Sequence, residues 1–311
     1  MTEQEPTLRW MRERVVRHWR WARTEGVRRL IEEDGLDPVT RLPNAWRRWW
    51  WARRHPVAPG SATAVFLVGV QRSGTNMVVR AMEAAPEVEV HNENDRRAFD
   101  RFRLRSDATV RVIVASSRHR YVLFKPLCDS HRVDRLLDEV VTPGSGRAIW
   151  AYRAFEGRAR SAVAKFGDAN LQALRRIAAG DGAGMWQAER LSPESLDLIA
   201  GFDYDRLSRE SAAALFWLVR NSLYFELGLD GRPDVTLSSY ESLLADPRRA
   251  LSRLCAFLGV AWHPRLAAHV SPRAPAWRPP LDIDAGIRRR CQELQERLDA
   301  ALARAGNGGT G

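Results

Sequence analysis

Apolar positions along this chain change their period in a way that separates strands from helices. Residues 64–70 are apolar apart from Gly69, a continuous run that fits a strand buried on both faces. Met77–Ala85 then reads as a helix stopped by Pro86, and Glu87–His91 alternates like a short second strand. Val110–Ala115, Tyr121–Phe124, Arg147–Tyr152 and Asp234–Leu237 read as further strands. Helical patterns fall at Ser130–Val141, Phe155–Phe166, Ala169–Ala179, Pro193–Leu198, Ser208–Glu226, Pro247–Leu258 and Asp284–Ala305. Strands alternating with helices predict an α/β fold, a central parallel β-sheet with helices on both faces and a helix-rich C-terminal half. No internal repeat is visible.

Residues 1–60 follow a different pattern and are expected to form a helical extension. Leu8, Met11, Val15, Trp19, Ala22, Val27, Leu30 and Ile31 recur near one face of an Arg-rich helix that Gly35 and Pro38 should end. A second helix is expected in Asn44-Ala-Trp-Arg-Arg-Trp-Trp-Trp-Ala-Arg-Arg-His55, closed by Pro56. Seven of the twelve tryptophans lie in this extension. A basic, Trp-rich helix can lie on an anionic membrane, or it can pack its aromatics on the main domain. The main domain is expected over residues 61–305, with a flexible Gly-rich tail over 306–311.

Composition narrows the class. At 311 residues, 45% hydrophobic and 28% charged, the chain can build an ample globular core. No apolar run approaches the roughly 20 residues of a membrane span, and the N-terminus lacks a signal-peptide core. The cytoplasm is the expected location, with peripheral membrane attachment as the alternative. Cys128, Cys255 and Cys291 lie far apart with no ligand spacing, so buried free thiols are expected. The net charge of +11 calls for anionic partners, but the cations form no nucleic-acid module. Among 49 Lys+Arg only Lys125 and Lys165 are lysine, so these two positions are candidates for a compact ammonium.

The candidate chemistry begins between Gly69 and Gly74. A strand, a tight loop and a helix aim unpaired N–H groups at one anion. The Gly69-x4-Gly74 spacing matches the start of a P-loop, but Thr75 and Asn76 stand where Lys and Ser/Thr would follow. Arg72 is the loop's one cation. The loop therefore reads as a phosphate cradle without the usual Mg²⁺ ligand.

Four segments together resemble the sulfotransferases that use 3'-phosphoadenosine 5'-phosphosulfate (PAPS), especially bacterial members related to the protein-tyrosine type. They are Phe66-Leu-Val-Gly-Val-Gln-Arg-Ser-Gly-Thr-Asn76, Ala148-Ile-Trp-Ala-Tyr-Arg153 followed by Ser161, Lys125-Pro126 after a strand, and the last segment. That segment is Val235-Thr-Leu-Ser-Ser-Tyr-Glu-Ser-Leu-Leu-Ala-Asp-Pro247, followed by Leu254-Cys-Ala-Phe-Leu-Gly259. The resemblance implies a P-loop-type fold, PAPS as sulfuryl donor, adenosine 3',5'-bisphosphate as product and no metal requirement. It implies that Arg72, Ser73, Gly74, Thr75 and Asn76 hold the 5' end of PAPS. Arg153 and Ser161 would hold its 3'-phosphate.

Sulfuryl transfer to a hydroxyl needs a base for the acceptor proton and positive charge at the leaving phosphate. Arg72 is the candidate for that charge. Lys125 should sit at a strand's C-terminal end, where open α/β sheets bind ligands, and can act as acid or clamp. Glu93, in His91-Asn-Glu-Asn-Asp95, is the candidate base, as the tyrosine-sulfating members place a glutamate there. Other members use histidine, which keeps His91 in contention; on an alternating strand the two would face one side. Ser271, in His269-Val-Ser-Pro272, falls where relatives carry a transition-state serine. Tyr240 is either an adenine neighbour or a core tyrosine, and Arg273 or Arg278 could replace a missing C-terminal phosphate signature. The alternatives are a P-loop kinase or NTPase, which lacks its Lys-Ser/Thr here, and a non-catalytic basic protein binding a membrane or nucleic acid. The acceptor is not readable, and oligomeric state stays open.

Overall fold

Seven strands and eleven α-helices are seen among the described residues, 38–142, 144–274 and 278–307 of a computed structural model. The expected helix over Leu8–Glu33 and tail residues 308–311 lie outside them. The chain divides into two compact units, residues 1–50 and 51–311. The first described helix, α1 (Pro38–Arg54), contains the Trp-rich stretch. Its described part starts at Pro38 and contains Pro43. Trp46, Trp49 and Trp50 are exposed. In the second unit, Trp51 stacks on His119 with ring centroids 6.0 Å apart.

The main sheet is five-stranded and wholly parallel, in the order β2-β5-β1-β6-β7. Its strands are β1 (Thr63–Gly69), β2 (Val88–His91), β5 (Tyr121–Phe124), β6 (Arg147–Tyr152) and β7 (Val235–Ser239). Side chains alternate between two apolar layers, as strand geometry requires. Phe66, Val68, Phe124, Trp150 and Leu237 pack into one core. Val65, Leu67, Leu123 and Ile149 pack into the other. The first layer is closed by α5 (Phe155–Phe166), α6 (Ala169–Ala178), α8 (Arg209–Glu226) and α11 (Ala285–Asn307). The second is closed by α2 (Thr75–Glu83) and α10 (Pro247–Leu258). Buried polar atoms are paired across the layers: Trp150 donates to Asn221 Oδ1 at 3.1 Å, and Tyr152 to Asp299 Oδ1 at 2.6 Å.

Two local expectations are corrected. Val110–Ala115 is not a strand but part of α3 (Asp107–Ser116). Ser106 caps it by accepting from Thr109 N, and only Val110 of the helix is fully buried. The β-branched residues there sit on a half-exposed helix face rather than in a sheet. Residues 127–140 are not one regular helix but a 3-10 turn, the short α4 (Val133–Arg135) and a π turn. A two-stranded antiparallel ribbon, β3 (Phe99–Asp100) and β4 (Arg103–Leu104), was not expected. α11 also continues through Gly306 to Asn307, taking in the first two residues of the expected tail.

Candidate active site

β1 lies between β5 and β6 in parallel register, so the loop after it opens at the sheet's C-terminal edge. Gly69 adopts φ 121°, and a Cβ there would meet Ala151 O at 2.2 Å; no other residue fits. Its N–H donates to Ser130 Oγ at 2.9 Å, tying the loop's entrance to the turn after β5. Gly74 is also left-handed (φ 84°), and a Cβ on it would sit 2.8 Å from Tyr240 Cδ2. That conformation lets α2 begin directly at Thr75, two residues earlier than the sequence pattern suggests, with no side chain capping its first turn. Between the glycines Arg72 holds φ 73°, an uncommon conformation for a long side chain. Ser73 is fully buried and its hydroxyl has no hydrogen-bond partner.

Arginines gather on the β6 side of this loop. Arg72 Nε donates to Ser161 Oγ at 3.0 Å. Arg153, immediately after β6, lies over the Tyr240 ring at 4.0 Å from its centroid, and its buried Nε has no partner. Arg273 Nη2 reaches Tyr240 OH at 3.4 Å. Burial, together with the charges of Arg72 and Arg278, holds the Arg153 guanidinium below its ordinary pKa despite the opposing influence of Tyr240 and Glu241. Tyr240 thus joins Gly74 to Arg153 as a packed spacer.

The β5 side holds an ion pair, Lys125 with Glu93. Because β2 and β5 are neighbours, the turns that follow them meet. Lys125 Nζ donates to Asn76 Oδ1 at 2.8 Å and pairs with Glu93 Oε2 at 3.0 Å. The Lys125 side chain is 6% exposed and that of Glu93 17%. A single ammonium therefore links α2 of the loop to the carboxylate after β2. The other lysine, Lys165, sits in the last turn of α5, where the helix dipole favours a cation.

His91 does not share this site. The strand ends at His91, so its alternation does not extend to Glu93. The His91 ring stacks on Phe124 at 5.2 Å, with Nδ1 2.8 Å from Asp95 Oδ2. Its Nε2 lies 3.2 Å from Glu89 Oε1, without hydrogen-bond alignment. Burial opposes ionisation of Glu89, yet His91 and Ser117 hold its carboxyl down at about 2. Burial likewise opposes ionisation of Asp95, which Arg97 and His91 hold at about 2.

The structure thus links Arg72 with Ser161, Arg153 with Gly74 through Tyr240, and Asn76 with Lys125 and Glu93. Ser271 is exposed and makes none of these contacts. Its neighbours tie the segment down: His269 Nε2 lies 2.9 Å from Met77 O, and Arg273 N donates to Leu244 O at 3.0 Å. The three cysteines are free and buried, and burial pushes Cys128 and Cys255 up to about 12 and Cys291 higher still. Cys128 lies within the influence of the Glu93 charge, with Gln71 Nε2 3.8 Å from its Sγ.

Two features escaped the sequence reading. Arg158 is fully buried in α5, on the stripe formed by Phe155, Ala159 and Ala162. A cation on an apolar helical stripe was the available signal. The second is an ion network behind Cys128: Arg103 Nε donates to Asp129 Oδ1 at 2.8 Å and Arg103 Nη2 to Glu189 Oε2 at 2.9 Å. Leu104 N donates to Asp129 Oδ2 at 2.8 Å, so the β3–β4 ribbon is anchored to the turn that carries Lys125.

No protein-family model matches the chain, and no curated protein does. Among solved structures it is similar to a sulfotransferase from Alicyclobacillus acidocaldarius, with 18% identity and a TM-score of 0.42 over 80% of this chain and 95% of that one. It is also similar to the sulfotransferase domain from the Synechococcus PCC 7002 olefin synthase, with 16% identity and a TM-score of 0.40 over 78% and 98%. Likeness at this level carries no functional weight of its own.

Proposed function

We propose that this chain transfers a sulfuryl group from PAPS to an acceptor hydroxyl. The reading rests on one juxtaposition: a cationic cradle, Arg72 and Arg153 with Ser161, lies beside the Lys125–Glu93 pair, and Asn76 bridges loop and pair. A polyanion fits the cradle, because the buried Ser73 hydroxyl and Arg153 Nε both have hydrogen bonds to give. PAPS, when bound, supplies an activated sulfuryl group on a phosphate leaving group.

The loop N–H groups, Ser73, Thr75 and Arg72 would hold the 5'-phosphate end, and Arg153 and Ser161 the 3'-phosphate. Glu93 accepts the proton from the acceptor hydroxyl as that oxygen becomes nucleophilic. Lys125 holds the Glu93 carboxylate in place and presents its remaining N–H to the oxygen that departs with the phosphate. Asn76 fixes the ammonium between these tasks. Arg72 offsets the charge that builds on the leaving phosphate without needing to reorganise, since Ser161 already fixes its Nε.

Calorimetric titration with adenosine 3',5'-bisphosphate and with ATP, each with and without Mg²⁺, tests the reading. Metal-independent binding of the bisphosphate is expected. Binding of Mg-ATP alone would replace sulfuryl transfer with phosphoryl transfer.

A further inference from the structure

Arg158 is a fully buried cation whose guanidinium is fixed by three separate parts of the fold. Its Nε donates to Gln71 O of the loop at 3.3 Å. Its Nη1 donates to Ala213 O at 2.9 Å in α8 and to Asn170 Oδ1 at 3.0 Å in α6. Phe216 lies under it, 5.1 Å from ring centroid to Cζ. The remaining nitrogen, Nη2, is buried without a partner. Among the described residues no carboxylate pairs with it, and the charged group facing it is another cation, Arg72. Burial first, and Arg72 second, push its pKa down to about 9. An arginine stays protonated at neutral pH even so, and the shift registers how poorly this charge is compensated within the protein.

A buried charge without a counter-ion destabilises a fold unless something else neutralises it. Gln71, whose carbonyl Arg158 holds, immediately precedes Arg72 with its left-handed backbone. We propose that Arg158 is the positioning residue of the anion cradle: it fixes the turn that aims Arg72 at Ser161, and its charge is balanced by the anion bound in the loop. This rests on the PAPS reading for the identity of that anion, but not for its charge. Arg158 and the phosphates need not touch. Two unit charges about 10 Å apart at an effective dielectric near 20 change binding on the order of tenfold.

The test measures binding of adenosine 3',5'-bisphosphate and of inorganic pyrophosphate by calorimetry to the unmutated chain and to Arg158→Lys, Arg158→Gln and Arg158→Met. Cooperative melting verifies that each variant folds. Arg158→Gln and Arg158→Met are expected to bind both ligands about tenfold more weakly or worse, and Arg158→Lys, which keeps the charge but not the fork, to recover part of that loss. Rescue by lysine separates charge from packing. Gln binding as tightly as the unmutated chain, or Lys as weakly as Gln, overturns the proposal. A second readout needs no variant: the Arg158 Nε–H NMR signal should shift and exchange more slowly when pyrophosphate is added. A signal indifferent to pyrophosphate overturns the proposal even where the variants fail to fold. Pyrophosphate binding without bisphosphate binding sinks the PAPS reading and leaves Arg158 standing; binding of neither sinks both.

Discussion

Lys125 and Glu93 meet at 3.0 Å across two neighbouring strand ends, and the same ammonium reaches Asn76 at 2.8 Å. The pair connects the turn after β2 to the first turn of α2. Glu93→Gln and Lys125→Ala should each lower turnover by about 10²–10⁴-fold while bisphosphate affinity stays within a few-fold. Single-turnover assays with labelled PAPS, run beside calorimetry, separate the two effects. Normal turnover in Glu93→Gln would remove it as the base.

Arg153 predicts the opposite split. Its loss takes away a partly buried cation with a hydrogen bond to give, so Arg153→Ala should weaken bisphosphate binding by about tenfold or more. Unchanged affinity in the calorimeter would place the 3'-phosphate elsewhere.

Gly74 is required twice, by its φ of 84° and by its contact with Tyr240. Gly74→Ala should destabilise the protein by about 1–3 kcal/mol and lower bisphosphate affinity as the loop shifts. The pairing Gly74→Ala with Tyr240→Ala tests the cause: if the contact with Tyr240 dominates, the second change restores part of the loss in a melting experiment. No restoration leaves backbone strain as the main cost.

The His91 cluster should govern acid stability rather than turnover. Glu89 and Asp95 have folded-state values near 2, depressed from 4.5 and 3.8. Their stabilising effect is therefore complete above about pH 4.5 and is lost as pH falls through that value toward 2. His91→Gln should reduce that acid-side loss of melting temperature and lower stability near neutrality, while most turnover at pH 7.5 survives. A His91→Gln enzyme that folds but is inactive would return His91 to the chemistry.

The β1–loop–α2 unit was legible because a buried apolar run, two glycines and the next amphipathic turn are all local signals. Strands β5 and β6 and the helix Pro247–Leu258 were legible for the same reason. Val110–Ala115 was not, since β-branched residues suit a strand as well as the half-exposed face they occupy. The capping Ser106 decided that case. At the site, strand ends suggested Lys125 and Glu93, but the pairing of His91 with Glu89 and Asp95 depends on side-chain packing that no local pattern shows. Arg158 stayed hidden because its meaning comes largely from Gln71 and Ala213, both distant in sequence.

Strand order gives this site a division of labour. Glu93 and Lys125 come from β2 and β5 on one side of β1, whereas Arg153 and Tyr240 come from β6 and β7 on the other. On the proposed reading, acceptor-facing residues are drawn from one flank of the sheet and donor-facing residues from the opposite flank. The two share little beyond the loop at β1. Residues between Glu93 and Lys125 can then diverge toward new acceptors, provided Lys125 and Ser130 keep their hold on the loop through Asn76 and Gly69. Such a separation lets one lineage explore many substrates while keeping a single energy source.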